Sequence, residues 1–194
     1  MKNMQSSDLE LVKQARKGDK VAFNKLVYRY DNKIMSLAMR FTRNKDEAKD
    51  IFQDVFIRAY RGLKNFEERS SFSTWLYRIA TNVSLTFVAK KKNKRTISID
   101  ENFNDDDDEN FTKEIQLPSK DFTEKLLEGN EIKQRVNNAI ENLSSQEKIV
   151  FTLRHFEEYK LKEIAKIMKC AEGTVKKYLF TATRKMRTQL LDII

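Results

Sequence analysis

The sequence predicts an all-α protein: two small helical domains joined by a flexible acidic linker, the second a helix-turn-helix. Three observations carry this. Among 194 residues there are 4 Gly and 1 Pro while charged side chains reach 35 %, a composition suited to helices rather than to turn-rich sheets. Apolar residues recur at helical spacing through both ends of the chain. The formal charge of +9 is blocked, with residues 1–95 net +12, residues 96–131 net −9 and residues 132–194 net +6. Two basic blocks around an acidic one predict two modules facing an anionic partner such as nucleic acid, with a connector of another kind.

The elements follow in order. Residues 7–17 read as a short helix with Ser7 as N-cap, a stripe of Leu9, Val12 and Ala15, and Gly18 ending it. Asp19 can cap the next, in which Phe23, Leu26, Val27, Tyr30, Ile34, Leu37, Ala38 and Phe41 share a face. Both helices read as scaffold. From Asp46 to about Leu63 a third helix buries Ala48, Ile51, Phe52, Val55, Phe56, Ala59 and Leu63. Its opposite face carries Asp50, Gln53, Asp54, Ile57, Arg58 and Arg61. Periodicity alone makes that a solvated polar face, although Ile57 amid charges suits a contact surface better.

Asn65 to Ser73 (NFEERSSFS) reads as a turn, with Ser73 capping a helix through Trp75, Leu76, Ile79, Ala80, Val83 and Phe87. Seven aromatics fall within residues 51–77. Phe52, Phe56 and Tyr60 sit at core spacing. Phe66, Phe72, Trp75 and Tyr77 lie in or beside the turn, near Arg69 and Arg78, which suits stacking of unpaired bases on a cationic surface. A local aromatic mini-core fits them equally well. Lys90, Lys91, Lys92, Lys94 and Arg95 suit duplex phosphates or, more simply, a solvated helix end.

Residues 96–131 hold DDDDE at 105–109 and the one proline, Pro118, and read as a self-repelling tether or a polyanion mimic lying in a basic channel. The helical period returns with Ile132, Val136, Ile140 and Leu143. Ser144 to Glu147 is a capping-box pattern opening a helix that buries Ile149, Val150, Leu153 and Phe156. A short helix with Leu161, Ile164, Ala165 and Met168, a turn over 169–171 and a last helix burying Val175, Leu179, Ala182 and Met186 give a helix-turn-helix. Its outward side carries Glu172, Thr174, Lys176, Lys177, Phe180, Thr181 and Arg184. A plain helical bundle is the other reading.

Enzyme chemistry lacks parts. One cysteine, Cys170, and one histidine, His155, exclude a disulfide and argue against a metal centre. There is no Gly-rich phosphate loop and no acidic pair in a pocket-like context. No catalytic residue, metal or cofactor is expected. No signal peptide or apolar run of spanning length stands out, so no membrane insertion and a cytoplasmic location are expected.

Taken together, GDKVAF, DEAKDIFQDVFIRAYRGL and SSFSTWLYRIATN, followed by LSSQEKIVFTLRHFEEYKLKEIAKIMKCAEGTVKKYL, resemble the bacterial extracytoplasmic-function (ECF) sigma factors. The resemblance implies a promoter-specificity subunit of RNA polymerase that promotes DNA opening, with residues 1–95, 96–131 and 132–194 as amino-terminal domain, linker and carboxy-terminal domain. Asp50, Gln53, Asp54 and Arg58 would dock on the β′ coiled coil of core polymerase, with the β subunit a further contact. Phe66, Arg69, Ser70, Ser71, Phe72, Trp75, Arg78 and Asn82 would melt the −10 element and hold its non-template strand. The last helix would read the −35 element, chiefly through Lys176, Lys177, Phe180 and Thr181. The linker would pass through the polymerase cleft, and an anti-sigma factor is an expected regulator. Departures from the family pattern are Ala171 where Ser is common, Tyr178, Thr181 and Thr183 where Arg is frequent, and Thr86 where an acid is common. The competing function is a stand-alone helix-turn-helix regulator that binds duplex DNA without polymerase.

Overall fold

The computed structural model describes residues 7–42, 44–96 and 131–190. Among them are eight α-helices: α1 (Asp8–Arg16), α2 (Lys20–Thr42), α3 (Lys45–Gly62), α4 (Phe72–Thr96), α5 (Glu131–Glu141), α6 (Ser145–His155), α7 (Leu161–Met168) and α8 (Glu172–Gln189), with a 3-10 turn over Leu63–Asn65. The expected acidic linker, DDDDE and Pro118 included, lies outside the described residues. No helix described is long and apolar enough to cross a membrane.

Ser7 caps α1 through a full capping box, its Oγ accepting from Glu10 N at 3.2 Å while Glu10 Oε2 accepts from Ser7 N at 2.7 Å. The buried face is Leu11, Val12 and Ala15; Leu9, expected inside, is 46 % exposed. Asp8 explains the rotation, because its carboxylate accepts from both Arg29 and Tyr30 of α2 and so turns Leu9 to solvent. Gly18, at φ +95°, provides the left-handed residue that ends α1. Asp19 Oδ1 then accepts from Ala22 N, starting α2.

α2 packs between α1 and α3, and α4 lies on α2 and α3. All seven residues expected on the inner face of α3 are buried. Asn44 caps that helix, its Oδ1 accepting from Asp46 N and Glu47 N. The start of α4 differs from expectation. Ser71, not Ser73, is the cap: its Oγ accepts from Thr74 N and its carbonyl from Trp75 N. Phe72, the first residue of α4, is buried, its ring packed against Tyr30 and Trp75.

In the second half, Ser144 and Glu147 form the expected capping box of α6. Phe156 does not join the core; it is 42 % exposed. α6 ends one residue earlier, so the helical period no longer sets where Phe156 points, and its ring receives the Arg40 guanidinium at 4.0 Å. α7 buries Ile164 and Ile167, and Lys169, in the left-handed region at φ +52°, turns the chain into α8. Leu179 is half-buried, with Val175, Ala182 and Met186 inside.

One buried cluster runs from Leu11 through α1–α4 into Ile149, Val150, Leu153, Ile164, Ile167 and Val175. A smaller one joins Ala139, Ile140 and Leu143 to Ala182 and Met186. The helical halves therefore meet along a buried seam between α4 and α7.

Candidate nucleic-acid interface

Three surfaces carry the residues singled out in the sequence. The first is the outer face of α3. Asp50, Arg58 and Arg61 are exposed, while Gln53, Asp54 and Ile57 are half-buried. Arg58 Nε donates to Asp54 Oδ1 at 2.7 Å, an i,i+4 pair on the helix surface. Beside it a groove of about 180 Å³ opens between α3 and α4, lined by Asp50, Ile51, Asp54, Arg58, Val83, Thr86, Phe87 and Lys90. Thr86, Phe87 and Lys90 thus share the surface of Asp50 and Asp54, a grouping the α3 pattern alone does not reveal, since it depends on how α4 crosses. A groove with an apolar floor and a rim of both charges suits an inserted side chain of a protein partner.

Lys90 stands on that rim rather than apart on a basic tail. Lys91 is committed to an ion pair, its Nζ donating to Glu47 Oε2 at 2.8 Å. The side chains of Lys92, Lys94 and Arg95 lie outside the described residues.

The second surface is the turn into α4. Phe66 and Phe72 are buried, and Trp75 is half-buried. Phe66 and Trp75 have centroids 5.0 Å apart, Phe72 and Trp75 5.7 Å, and Phe72 also meets Tyr30 at 5.6 Å. The aromatics therefore form a mini-core with Trp75 at its edge. Gly62 backs the indole, where a Cβ would lie 3.2 Å from the ring. Arg69, Ser71 and Asn82 are exposed and Ser70 is half-buried, while Arg69 pairs with Glu67, itself exposed. Arg78 is half-buried, and its Nη2 donates to Lys166 O of α7 at 2.8 Å. This surface holds an aromatic edge, a free amide and cations, the set that receives unpaired bases.

The third surface is α8. Lys176, Lys177, Phe180 and Arg184 lie on an exposed stripe, with Phe180 70 % exposed. Glu172 pairs with Lys176 at 3.2 Å, and the half-buried Thr181 donates its hydroxyl to Lys177 O, spending it on its own helix. Thr174 is half-buried on the first turn. Ala171 occupies the N-cap position and offers no side-chain acceptor. A basic stripe with one apolar ring on the second helix of a helix-turn-helix suits the major groove, where phosphates meet cations and thymine presents a methyl group.

Tyr77, placed beside the turn by the sequence, is instead buried in the seam, with its ring edge-on to Tyr159 at 5.2 Å. Burial, then the negative charge of Glu157, pushes its pKa far above the ordinary phenol value. Burial likewise raises Tyr159 to about 12.

Comparison with known proteins gives a consistent picture. Residues 26–94 match the family described as Sigma-70 region 2, and residues 133–186 match Sigma-70, region 4. The chain is 36 % identical over 190 residues to the RNA polymerase sigma-H factor of Pseudomonas aeruginosa, covering 98 % of this chain and 97 % of that one. It is also 36 % identical over 195 residues to the ECF RNA polymerase sigma-E factor of Escherichia coli K12, with 98 % and 97 % covered. Among solved structures, the sigma factor RpoE of Bartonella quintana, seen with the anti-sigma factor NepR, superposes with a TM-score of 0.64 at 19 % identity, covering 87 % of this chain and 96 % of that one.

Proposed function

The chain belongs to the extracytoplasmic-function group of RNA polymerase sigma factors, and on that premise we propose how its surfaces divide the work of starting transcription. It is an alternative sigma factor: it directs core polymerase to promoters and has no catalytic activity of its own. Residues 1–95 dock on polymerase and open the −10 element, residues 96–131 connect, and residues 132–194 bind the −35 element. The work is done on promoter DNA, in the cytoplasm.

The single observation that carries the docking assignment is the α3/α4 groove. Its rim of Asp50, Asp54 and Arg58 lies beside the ring of Phe87, an arrangement that calls for a basic, partly apolar partner face, a role we assign to the β′ coiled coil. The β subunit is a further contact within core polymerase. Melting is assigned to the turn and α4. Trp75 offers a stacking edge, Asn82 an exposed amide, and Arg69 and Arg78 cations for the backbone; Ser70 and Ser71 set the turn and cap the helix. Phe66 and Phe72 act behind them, fixing the plane of Trp75. An unstacked base is held there by the geometry other base-flipping proteins use, an aromatic face plus hydrogen-bonding groups. On α8, Lys176, Lys177 and Arg184 meet phosphates or base edges and Phe180 the groove floor, with Glu172, Thr174 and Thr181 flanking. Lys90, Lys92, Lys94 and Arg95 supply further cations for duplex phosphates.

The complex of the Bartonella quintana protein with NepR supports an anti-sigma factor as a further partner of this chain. The stand-alone regulator has no use for the α3/α4 groove, and no observation favours it. Run-off transcription with core polymerase on a library of upstream regions tests the proposal. Initiation from a discrete subset is expected; duplex binding without initiation would overturn it.

A further inference from the structure

The turn that carries the melting residues is held from a helix that the sequence marks as scaffold. Glu68, at its middle, has φ +57°, in the left-handed region that glycine, asparagine and aspartate adopt most readily. Glutamate lacks the short side chain with which the last two bond their own backbone there. Such a residue persists only where its surroundings over-determine it. Backbone bonds do not do so, since among the described residues no backbone–backbone hydrogen bond is made by residues 67–70. Its carboxylate instead reaches out of the turn: Glu68 Oε1 accepts from Nη1 of Arg16, the last residue of α1, at 3.3 Å.

α1 is a firm anchor. Ser7 and Glu10 close its capping box, Leu11 and Val12 are buried, and Asp8 accepts from Arg29 and Tyr30 of α2. It also lies against the 3-10 turn that leads into residues 67–70 and against α4, which follows them. The Tyr30 ring, held by Asp8, meets Phe72 at 5.6 Å, so α1 bears on both the middle and the far end of the turn. The Arg16 and Glu68 side chains are 38 % and 33 % exposed. A pair so exposed contributes little to global stability, so what it sets is the shape of the turn.

We propose that Arg16 is a positioning residue for promoter opening: through Glu68 it holds the turn before α4 in the shape that receives the −10 base. The inference rests on the assignment of this turn to the −10 strand, and adds a support for that site from outside the turn. With Glu68 drawn to α1, its neighbour Arg69 stays exposed, paired only with the exposed Glu67. Preorganising the turn removes an ordering cost that the incoming strand would otherwise meet. Arg16 therefore acts on opening, and not on the duplex contacts of α8 or the docking of α3.

The test uses holoenzymes of the full chain on a promoter taken from the run-off set, with 2-aminopurine in the −10 non-template strand reporting opening. Arg16→Glu should slow opening about fivefold, the order that an exposed pair supports. Its closed-complex affinity, core polymerase affinity and melting temperature should stay near wild type. Combining Arg16→Glu with Glu68→Arg restores the pair and should bring opening back to within about twofold of wild type, a rescue that an unrelated structural loss at either site would not give. Lys17→Glu, the same charge change one residue on at an exposed lysine, should open normally. Equal slowing by Lys17→Glu would make the effect one of general charge and overturn the proposal, as would a double variant no faster than Arg16→Glu. Normal opening by Arg16→Glu alongside slow opening by Trp75→Ala overturns the positioning role alone. Normal opening by both defeats the −10 assignment beneath it, so the two failures are separable.

Discussion

Arg58 Nε lies 2.7 Å from Asp54 Oδ1, so the two charges at the centre of the α3 outer face hold each other one helical turn apart beside the groove. The pair orients Asp54 toward the rim shared with Asp50 and Phe87. As an exposed pair it is worth little to stability. Its value lies in presenting a fixed carboxylate to a partner.

Charge reversal at these carboxylates should therefore separate binding from folding. Asp50→Lys with Asp54→Lys should cut core polymerase affinity by at least about tenfold, because like charges facing a basic partner cost several kcal/mol. The melting temperature should move little, since neither side chain is part of the core and surface substitutions stay within about 0.5 kcal/mol. Fluorescence anisotropy of labelled protein with core enzyme checks the first, and calorimetry the second. Unchanged affinity would remove the docking role from this face.

Trp75 and Phe72 should behave differently when truncated, although both belong to one aromatic cluster. Phe72→Ala empties a buried site and should cost about 3–5 kcal/mol of stability. Trp75→Ala removes a half-buried edge ring, so it should leave a folded protein whose holoenzyme binds closed promoters but opens them poorly at low temperature. Permanganate footprinting of unpaired thymines reads the opening directly. Gly62→Val, which pushes a side chain toward the indole 3.2 Å away, should shift the fluorescence of this lone tryptophan and impair opening in the same sense.

What was legible in the sequence divides along physical lines. The inner face of α3, the N-cap at Ser7 and the capping box at Ser144 follow from local rules, and local rules found them, although the Glu10 half of the Ser7 box emerged only in the structure. Leu9 and Phe156 were misplaced because tertiary contacts decide them: Asp8 is anchored by Arg29 and Tyr30, and Arg40 sits over the Phe156 ring. Lys91 looks like part of a basic tail until α4 is laid beside α3, where Glu47 meets it. Tyr77 was placed with the turn aromatics rather than at the seam, because its partner Tyr159 lies on the far side of the linker in sequence. The division of the chain at residues 95 and 132 is a property of sequence blocks; the buried cluster crosses it.

Acid should loosen the helix-turn-helix through Glu147. Burial alone would raise its pKa, but the Lys185 ammonium at 2.7 Å and the hydrogen bonds to Ser144 outweigh that and hold the carboxyl below its ordinary 4.5. A folded-state pKa lower than the unfolded one gives stability that is fully present above the unfolded value and lost as pH falls through the folded one. Glu147→Gln should therefore lower stability by about 1 kcal/mol or more near neutrality, from the weakened cap and the lost pair. The gap to wild type should stay constant above about pH 5.5 and narrow on acidification. Urea titrations at a series of pH values measure it; a gap that widens in acid would contradict the pairing.

Ala171→Ser should strengthen the helix that reads duplex DNA. Residue 171 already has the extended backbone of an N-cap, φ −69° and ψ 148°, but its side chain makes no capping bond. Its carbonyl accepts from Thr174 N and Val175 N, so the first turn is closed while a side-chain acceptor for the remaining amides is missing. A serine hydroxyl would supply it without moving the chain, adding about 1 kcal/mol. Residue 171 is exposed and precedes Glu172, so the hydroxyl meets solvent and no core atom is displaced. Thermal melts should rise by a few degrees, and transcription from the wild-type promoters should be retained, because Lys176, Lys177, Phe180 and Arg184 keep their places on the stripe. A fall in stability would mean that the turn after Lys169 is held by something other than the free end of α8.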